Sequence, residues 1–339
     1  MKAAIAGTGL IGASIGLALR SEKWEVIGWD PQAEATATAL AIGALDDVAP
    51  SLAEAMEDVD LVVLAGPPAA IVATLPQLHT DVLVIDVSGV KHEVMAAGRH
   101  LARFVGTHPM AGREHPGPEA ASAALFKGAA WIVVGDGAGK DDVAAVDDLV
   151  RTMGARPVHM SAEAHDSAVA VVSHLPQIIA STLVAEAADN PHALVLAAGS
   201  FRDLTRVALS DPALWSDLLV ANRRDIVEVV RSFSGRLAEW ADTLSAGNTG
   251  TVETSLIAAQ RVRRGLAPPV VAVGVVLEDR PGELAAVGRA LADSRVDVRD
   301  LQLRHGRLGG GGVLVLSVRP GEAEALRQAL HGEGFVLDE

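Results

Sequence analysis

Short, continuous apolar runs recur through the first 160 residues and alternate with stretches of helical periodicity. The runs occupy residues 2–5, 25–29, 60–65, 82–85, 102–105, 130–134 and 156–160. Runs of this length are typical of parallel strands that are covered by helices on both faces. Their alternation with helices predicts a Rossmann-like α/β domain over residues 1–160.

The pattern changes at residue 161, where strand signals end and alanine-rich helical sequence continues to about residue 264. An apolar stripe at helical spacing includes Val169, Val172, Leu175, Ile179 and Leu183. The pattern predicts an all-α domain over residues 161–264, with long helices suited to substrate binding and dimerisation.

A third pattern follows residues 261–269, where Gly265 and the Pro268–Pro269 pair predict a linker. Residues 270–339 then contain strand, helix, strand, strand, helix and strand in that order. This β-α-β-β-α-β order predicts a ferredoxin-like domain. The predicted fold class is therefore α/β, with an all-α domain between two α/β domains.

Composition narrows the possible partners of the chain. The formal net charge is −15 over 339 residues, which argues against nucleic acid as a partner and requires a local cationic site for any anionic substrate. No apolar run approaches the ~20 residues of a membrane span. The chain begins directly with a strand, so no signal peptide is expected. Cysteine is absent, which excludes thiolate metal ligands. We expect a cytoplasmic protein.

The first strand leads into a glycine-rich loop with the spacing G-x-G-x-x-G, formed by Gly7, Gly9 and Gly12. Such a loop binds the pyrophosphate of a dinucleotide at a helix N-terminus. Asp30 ends the second strand, where a carboxylate accepts hydrogen bonds from a ribose diol and repels a 2′-phosphate, so NAD is favoured over NADP. The predicted cofactor contacts are Gly7, Gly9, Leu10, Ile11, Gly12, Asp30, Gly66 and Asp86.

His108 lies on a loop of restricted conformation at residues 106–114, after the strand at 102–105. Ligands of doubly wound sheets bind outside the carboxyl ends of the strands. Residues at such ends are predicted to converge there: Gly7, Asp30, Gly66, Ser88 and His108. A histidine at this edge is a candidate general acid or base, because its ordinary pKa is near neutrality.

The helical segment holds further candidates. His165 and His174 are nine residues apart, which at 100° per residue puts them on opposite faces of a straight helix. The His165–Asp166 pair, near a helix start, is interpreted as a solvent-exposed cap. Arg202, Asp203 and Arg206 share a face further along, and their pattern fits either a carboxylate clamp or a surface ion-pair cluster.

These blocks together resemble the prephenate/arogenate dehydrogenases of tyrosine biosynthesis, over most of the chain. The matching blocks are residues 7–12, 86–91, 108–114, 173–176 and 201–206. The C-terminal segment resembles an ACT domain, with residues 279–284 at its amino-acid-binding loop. The resemblance implies NAD-dependent oxidative decarboxylation of prephenate, a homodimer, and regulation by tyrosine at Asp279, Arg280, Pro281 and Gly282.

The resemblance also implies roles for individual residues. His108 corresponds to the catalytic base and Arg206 to the ligand of the ring carboxylate. His174 corresponds to a substrate-binding residue near the nicotinamide, while Glu114 and Asp203 correspond to acidic residues that shape the pocket. The sequence departs from the family pattern at Gly89, where a serine is usual. Two alternatives stay open: Ser88 takes the place of that catalytic serine, or the serine is absent.

Several functions stay open at this point. Arg113 adds positive charge near the expected pocket and favours prephenate over arogenate, although pairing with a surface acid explains it equally well. Another NAD-dependent oxidoreductase, such as a hydroxy-acid or imine reductase, would need neither Arg206 nor an ACT-like domain. A third alternative is a non-catalytic sensor of NAD and amino acids.

Overall fold

The protein is described from a computed structural model that covers residues 1–113, 117–266, 270–278, 280–305 and 311–338. Its internal contacts divide the chain into two compact units, Met1–Ser234 and Gly235–Glu339.

An eight-stranded sheet organises the first unit. Its strands are β1 (Lys2–Ala6), β2 (Glu25–Trp29), β3 (Asp47–Val48), β4 (Leu61–Leu64), β5 (Leu83–Asp86), β6 (Phe104–Pro109), β7 (Ala130–Val134) and β8 (Arg156–His159). The spatial order is β3-β2-β1-β4-β5-β6-β7-β8. Strands β1 to β6 pair in parallel, whereas β7 is antiparallel to β6 and parallel to β8. Hydrophobic periodicity predicts the strands but carries no information on this reversal.

Helices cover both faces of the sheet. They are α1 (Leu10–Ser21), α2 (Ala33–Ala41), α3 (Leu52–Ala55), α4 (Pro68–Thr74), α5 (His92–Gly98) and α6 (Lys140–Thr152). Alternate residues of β1 point into two separate cores, Ala3 and Ile5 into one and Ala4 and Ala6 into the other. Burial on both faces explains why these strands read as continuous apolar runs.

A long helix begins the helical part of the first unit. It consists of α7 (Ala162–Val169), a π-helical turn at Ala170–His174 and α8 (Leu175–Ala188). The π turn adds one residue to the helical repeat, so nine residues advance the helix by roughly 80° instead of 180°. His165 and His174 are both buried, and both reach the same cluster: His165 contacts Asp166, and His174 contacts the Asn222 amide that also bonds the Asp166 carbonyl. The prediction that they occupy opposite faces is therefore wrong.

The same helix, Ala162–Ala188, is long and apolar enough to cross a membrane by length and composition, with a mean hydropathy of 1.7. This differs from the expectation that no apolar segment approaches that length. Buried polar contacts of His165, Asp166 and His174 tie the helix into the protein. We therefore interpret it as a core helix of the helical domain.

The remaining helices of this part follow in close succession. They are α9 (Pro191–Leu196), α10 (Gly199–Thr205), a 3-10 turn at Arg206–Leu209, α11 (Pro212–Ala221) and α12 (Arg223–Ser245). The α10 helix and the 3-10 turn pack against α8, and α11 packs against α4. These contacts hold the helical domain against the sheet domain, on the side where α4 follows β4.

The second unit contains the end of α12, the helix α13 (Thr249–Gly265) and a four-stranded sheet. The sheet region is formed by β9 (Val271–Leu277), α14 (Glu283–Ser294), β10 (Asp300–His305), β11 (Gly312–Val318), α15 (Ala323–Gly332) and β12 (Val336–Asp338). All strand pairs are antiparallel, in the order β10-β11-β9-β12. The β-α-β-β-α-β order is as predicted. The linker prediction is wrong for residues 261–265, which complete α13.

Candidate active site

The glycine loop between β1 and α1 places three glycines in three different environments. Gly7 has a φ of 97°, and a Cβ there would lie 2.6 Å from the carbonyl carbon of Ala65. A Cβ on Gly12 would lie 1.9 Å from the carbonyl oxygen of Gly7. A Cβ on Gly9 would meet no atom within 4 Å. Gly7 and Gly12 thus permit close packing within the protein, whereas Gly9 leaves its backbone open to a ligand.

Asp30 closes the other side of this loop. Its carboxylate accepts hydrogen bonds from the backbone N–H of Thr8 at 2.8 Å and of Gln32 at 2.9 Å. The side chain is half-buried and keeps acceptor capacity for a ribose diol. Leu10 and Ile11 form the first turn of α1 beyond the loop. The open loop, the helix N-terminus and the carboxylate together fit a dinucleotide.

Gly66 and Asp86 end β4 and β5, next to this loop in the sheet. A Cβ on Gly7 would lie 2.8 Å from the backbone nitrogen of Gly66, so these two loops are in contact. The Asp86 carboxylate is fully buried and accepts hydrogen bonds from the Lys91 ammonium and from the backbone N–H groups of Ser88 and Thr107. This arrangement turns Asp86 into the protein, where it orders the loop after β5 and the strand that carries His108.

Burial and mutual attraction act in opposite directions on the pKa values of Asp86 and Lys91. Burial raises the pKa of Asp86, and the Lys91 ammonium acts against that rise. Burial likewise lowers the pKa of Lys91, while Asp86 counteracts the shift. Each partner therefore stabilises the charge of the other, and removal of one would leave an uncompensated buried charge.

His108 lies near the end of β6 and pairs in the sheet with Ile132 of β7. The prediction of a loop from residue 106 is therefore wrong for residues 106–109, because pairing with β7 continues the strand through them. Its imidazole is half-buried. Its Nδ1 atom is 2.8 Å from Nε2 of His165, and the two rings meet edge to face with a centroid distance of 5.1 Å. The structure thus brings together two histidines that the sequence does not connect.

His165 continues the contact to a buried carboxylate. Its Nδ1 atom is 2.7 Å from Oδ1 of Asp166. The Asp166 carboxylate also accepts hydrogen bonds from the backbone N–H groups of Lys91 at 2.7 Å and His92 at 2.8 Å. Asp166 is only 3% exposed, so the prediction of a solvent-exposed cap at this pair is wrong. The pair faces the sheet domain because α7 packs against α5.

His174 approaches the same cluster through Asn222. The Asn222 side-chain amide donates to the backbone carbonyl of Asp166 at 2.8 Å and lies 3.1 Å from Nδ1 of His174. The His174 ring also contacts Trp215 edge to face. An amide N–H can only donate, so Nδ1 of His174 accepts and Nε2 carries its proton.

Burial and neighbouring charge favour neutral imidazoles in this cluster. Burial lowers the pKa of His108 well below its ordinary 6.5, and positive charge on His165, Lys91 and His174 lowers it further. Burial lowers the pKa of His174 to about 4, although Asp166 acts in the opposite direction. Burial would raise the pKa of Asp166, but hydrogen bonds from His165 and two backbone N–H groups lower it overall. At neutral pH the cluster contains two neutral histidines and a carboxylate.

The structure distinguishes Ser88 from Gly89. The Ser88 hydroxyl accepts a hydrogen bond from the backbone N–H of Val90 at 3.3 Å, and no hydrogen bond joins it to His108 in the described part of the chain. A Cβ on Gly89, in contrast, would lie 3.8 Å from Nε2 of His108 and 2.9 Å from Cδ2 of Leu218. Position 89 therefore faces the free side of the imidazole, and Leu218 occupies part of that space.

The other predicted substrate residues are more peripheral in this chain. Arg206 is an exposed residue of the 3-10 turn that packs against α8, and Asp203 is exposed on α10. Arg113 is exposed and donates a hydrogen bond to the backbone carbonyl of Ala120 at 2.8 Å. Its partner is therefore a backbone carbonyl and not a surface acid, and this bond does not direct its side chain towards His108. Glu114 lies outside the described residues.

The predicted effector loop is described only in part. Asp279 lies outside the described residues. Arg280 forms ion pairs with Glu278 at 2.8 Å and Glu283 at 3.4 Å. Pro281 and Gly282 lead into α14, and Gly282 precedes the helix with a φ of 97°.

Sequence reasoning missed His165, Asp166, Asn222 and Lys91 as members of the cluster. The adjacent His165–Asp166 pair was visible, but its burial depends on packing between α7 and α5. Pro176 was a usable signal for the π turn, because proline cannot donate to the carbonyl four residues earlier and disturbs the regular helical repeat. Asn222 had no signal of its own in the sequence.

Comparison with known proteins identifies the family. Residues 15–159 match the nucleotide-binding domain of prephenate dehydrogenase, and residues 161–256 match its dimerization domain. The prephenate dehydrogenase of Bacillus subtilis is 30% identical over 92% of this chain and 91% of that protein. The cyclohexadienyl dehydrogenase of Zymomonas mobilis is 34% identical over 68% of this chain and 84% of that protein.

Solved structures agree with the sequence comparisons. The crystal structure of prephenate dehydrogenase from Aquifex aeolicus, in complex with hydroxyphenyl propionate and NAD⁺, superposes with a TM-score of 0.73. The two sequences are 26% identical, and the match covers 79% of this chain and 98% of that chain. The chain thus belongs to the prephenate dehydrogenase family and is an NAD-dependent oxidoreductase.

Proposed function

We propose that the chain catalyses the NAD-dependent oxidative decarboxylation of prephenate to 4-hydroxyphenylpyruvate, in the cytoplasm. The observation that carries this proposal is the neutral His108 imidazole, which is held at Nδ1 and has Nε2 free at the carboxyl end of β6. The glycine loop and Asp30 lie at the carboxyl ends of β1 and β2 in the same sheet. A base and a dinucleotide site at one sheet edge are what this reaction needs.

The reaction needs a base and an oriented substrate. The ring hydroxyl of the cyclohexadienol gives its proton to Nε2 of His108, and the hydride leaves the same ring carbon. The bond to the ring carboxylate then breaks, carbon dioxide leaves, and the electron pair of that bond completes the aromatic ring. The phenolate oxygen formed in this way takes the proton back from Nε2 of His108, which gives the phenol of the product. NAD⁺ supplies the hydride acceptor, and aromatisation supplies the driving force. The protein contributes position and proton transfer, which are worth large factors in rate when the geometry is held.

Other side chains have roles that follow from their chemistry. His174 is neutral at pH 7 and presents Nε2–H as a hydrogen-bond donor to the substrate. We assign the ring carboxylate to Arg206, since guanidinium binds a carboxylate with two parallel hydrogen bonds. Asp203 and Glu114 would shape the pocket. We assign no step of the reaction to Arg113 or Ser88, because the side chain of each is hydrogen-bonded to a backbone group.

Substitution of His108 tests the function. His108→Asn should bind NAD normally and lose on the order of 10² to 10⁴ in kcat with prephenate. NADH formation and NAD binding would be measured on the same preparation, with His79→Asn, a histidine of the sheet domain for which no role is proposed, as the control. Turnover like that of the wild type in His108→Asn would remove His108 from the mechanism.

Arogenate is the second substrate to test, because it differs from prephenate only outside the reacting ring. The cyclohexadienyl dehydrogenase relative carries a name that covers both compounds. We expect a higher kcat/KM with prephenate. The opposite ratio, measured in parallel assays, would make the chain an arogenate dehydrogenase.

A homodimer is also part of the proposal. The apolar helix Ala162–Ala188 has only 33% of its most apolar window buried within one chain, and Val171 and Val172 are 51% and 65% exposed. Residues 161–256 match a dimerization domain. A second copy of the chain would cover this surface, as is usual for large exposed apolar patches. One chain has a mass of 34.9 kDa, and analytical ultracentrifugation should give twice that mass.

We further propose that the C-terminal sheet region is an ACT-like domain that binds tyrosine near Arg280, Pro281 and Gly282. The β-α-β-β-α-β order and the left-handed Gly282 before α14 support this assignment. Tyrosine should inhibit the full chain, and Gly282→Val should weaken that inhibition while Gly321→Val should not. An unchanged inhibition curve in Gly282→Val would place the effector in the active site instead.

A further inference from the structure

We propose that His165 and Asp166 form a positioning pair, which holds His108 as the Nδ1–H tautomer and directs the lone pair of Nε2 towards the substrate. The inference rests on the proposed function, in which His108 is the base. Neither His165 nor Asp166 contacts the substrate in this arrangement. Both act through the imidazole of His108.

The Asp166 carboxylate is ionised and serves only as an acceptor. Its carboxylate accepts hydrogen bonds from two backbone N–H groups, Lys91 at Oδ1 and His92 at Oδ2. Such bonds favour the ionised carboxylate, which can only accept. Nδ1 of His165, 2.7 Å from Oδ1, must therefore carry the proton that joins them. We assign the neutral form to the buried His165, and an imidazole with its single proton at Nδ1 has an unprotonated Nε2.

The position of the proton on His165 fixes the position of the proton on His108. Nε2 of His165 can only accept, so Nδ1 of His108, 2.8 Å away, is the donor. A neutral imidazole carries one N–H, which leaves Nε2 of His108 unprotonated. That atom faces position 89, where the glycine presents no side chain to occupy it. The base is therefore fixed in tautomer and in direction before substrate binds.

The pair also connects the imidazole of His108 to a negative charge through two hydrogen bonds. Within the described residues, the charged and titratable groups around His108 are Lys91 and Asp86 next to β6, and His165, Asp166 and His174 on the long helix. Asp86 is bonded to Lys91, so its charge is compensated locally. When Nε2 of His108 takes up the hydroxyl proton, the positive ring stays bonded through His165 to the Asp166 carboxylate.

Two features of the fold keep the pair in place. The Asn222 amide bonds the backbone carbonyl of Asp166, and the two backbone N–H groups at the start of α5 bond its side chain. His165 and Asp166 are 1% and 3% exposed, so water does not compete for these bonds. A partner that is rigid and dry is suited to hold one tautomer.

The first experiment uses the unmodified protein. Histidine labelled with ¹⁵N in the full-length chain reports which ring nitrogen is protonated, and His108→Asn identifies the His108 signals. We expect protonated Nδ1 and unprotonated Nε2 for His108, and the same for His165, at pH 7 to 8. A His108 ring protonated at Nε2 would overturn the proposal without any other variant.

The second experiment changes the pair itself. Asp166→Asn removes the carboxylate charge, and its amide nitrogen in the place of Oδ1 donates to Nδ1 of His165, an orientation that reverses both tautomers and protonates Nε2 of His108. We expect a loss of at least ~100-fold in kcat, with little change in KM or NAD binding. His165→Gln keeps a hydrogen-bond acceptor and should retain more kcat than His165→Phe. The control is His159→Gln, an exposed histidine 3.1 Å from Asp147, which should leave kcat unchanged.

These outcomes separate the two proposals. Full turnover in His108→Asn would refute the proposed function itself. Loss of turnover in His108→Asn, together with wild-type kcat and an unchanged His108 tautomer in Asp166→Asn, would refute only the positioning pair. Equal kcat in His165→Gln and His165→Phe would likewise contradict it, because the two variants differ in the acceptor that the pair requires.

Discussion

Nδ1 of His108 lies 2.8 Å from Nε2 of His165, although 57 positions separate the two residues in the chain. One histidine ends a strand of the sheet domain and the other lies in the first helix of the helical domain. The contact joins the two domains at His108, the general base of the proposed reaction. The chemistry of the site therefore depends on how these domains pack.

Acid should destabilise the protein through His174. Its folded-state pKa of about 4 is below the value of about 6.5 in an unfolded chain, so the unfolded state binds more protons between these pH values. The free energy of unfolding is therefore fully retained above pH 6.5 and falls as the pH drops towards 4, by about 3 kcal/mol. Urea unfolding at a series of pH values measures this slope.

The matched control for that slope is His174→Gln, whose amide oxygen can still accept from Asn222. Its unfolding free energy should vary less between pH 6.5 and 4 than that of the wild type. The acid limb of kcat/KM should likewise lie well below pH 6.5, because burial lowers the pKa of both His108 and His174. An acid limb of kcat/KM centred at 6.5 would contradict the lowered pKa of His108.

Two glycines of the dinucleotide loop should respond differently to the same substitution. Gly12→Ala places a Cβ 1.9 Å from the Gly7 carbonyl oxygen, so the protein should lose stability by several kcal/mol or fail to fold. Gly9→Ala meets no protein atom within 4 Å and should unfold like the wild type, yet bind NAD at least ~10-fold more weakly. Calorimetry of unfolding and of NAD binding separates the two effects. Unchanged NAD affinity in Gly9→Ala would exclude this loop as the pyrophosphate site.

Asp30 should determine the choice between NAD and NADP. Asp30→Ser removes the carboxylate that would bind a ribose diol and repel a 2′-phosphate. We expect kcat/KM for NAD to fall and the ratio of NADP to NAD to rise at least ~10-fold. Thr8→Val is the control, because it keeps the Asp30 carboxylate and removes only the bond from the Thr8 hydroxyl to Asp30 at 3.4 Å. A ratio unchanged by Asp30→Ser would mean that another group selects the cofactor.

Gly89 and Leu218 should be coupled in stability. Gly89→Ala puts a Cβ 2.9 Å from Cδ2 of Leu218, and overpacking of this kind costs about 1–3 kcal/mol. In the Leu218→Ala background the same substitution should cost less, since the contact is removed. A double-mutant cycle on the free energy of unfolding measures the coupling. Additive effects would show that Leu218 does not occupy the space in front of Gly89.

Part of the candidate site follows from local sequence alone. The glycine spacing predicts the turn at Gly7 and the close packing at Gly12, because both depend on backbone conformation within a few residues. The apolar run at residues 102–105 predicts a strand that leads to His108, although only pairing with β7 extends that strand through His108 itself. The β-α-β-β-α-β order of the C-terminal region is predicted in the same way, from periodicity and turns.

The sequence by itself therefore determines the element types, the dinucleotide loop with Asp30, and the place of His108 at a strand end, since each depends on short-range patterns. Only the tertiary structure decides that β7 and β8 reverse direction, that a π turn brings His165 and His174 to one side, and that Asp86 pairs with Lys91. The pairing of Asp86 with Lys91 follows from burial, because a carboxylate inside the protein needs a positively charged partner. The orientation of the His108 ring likewise depends on helix packing, which no pattern along the chain records.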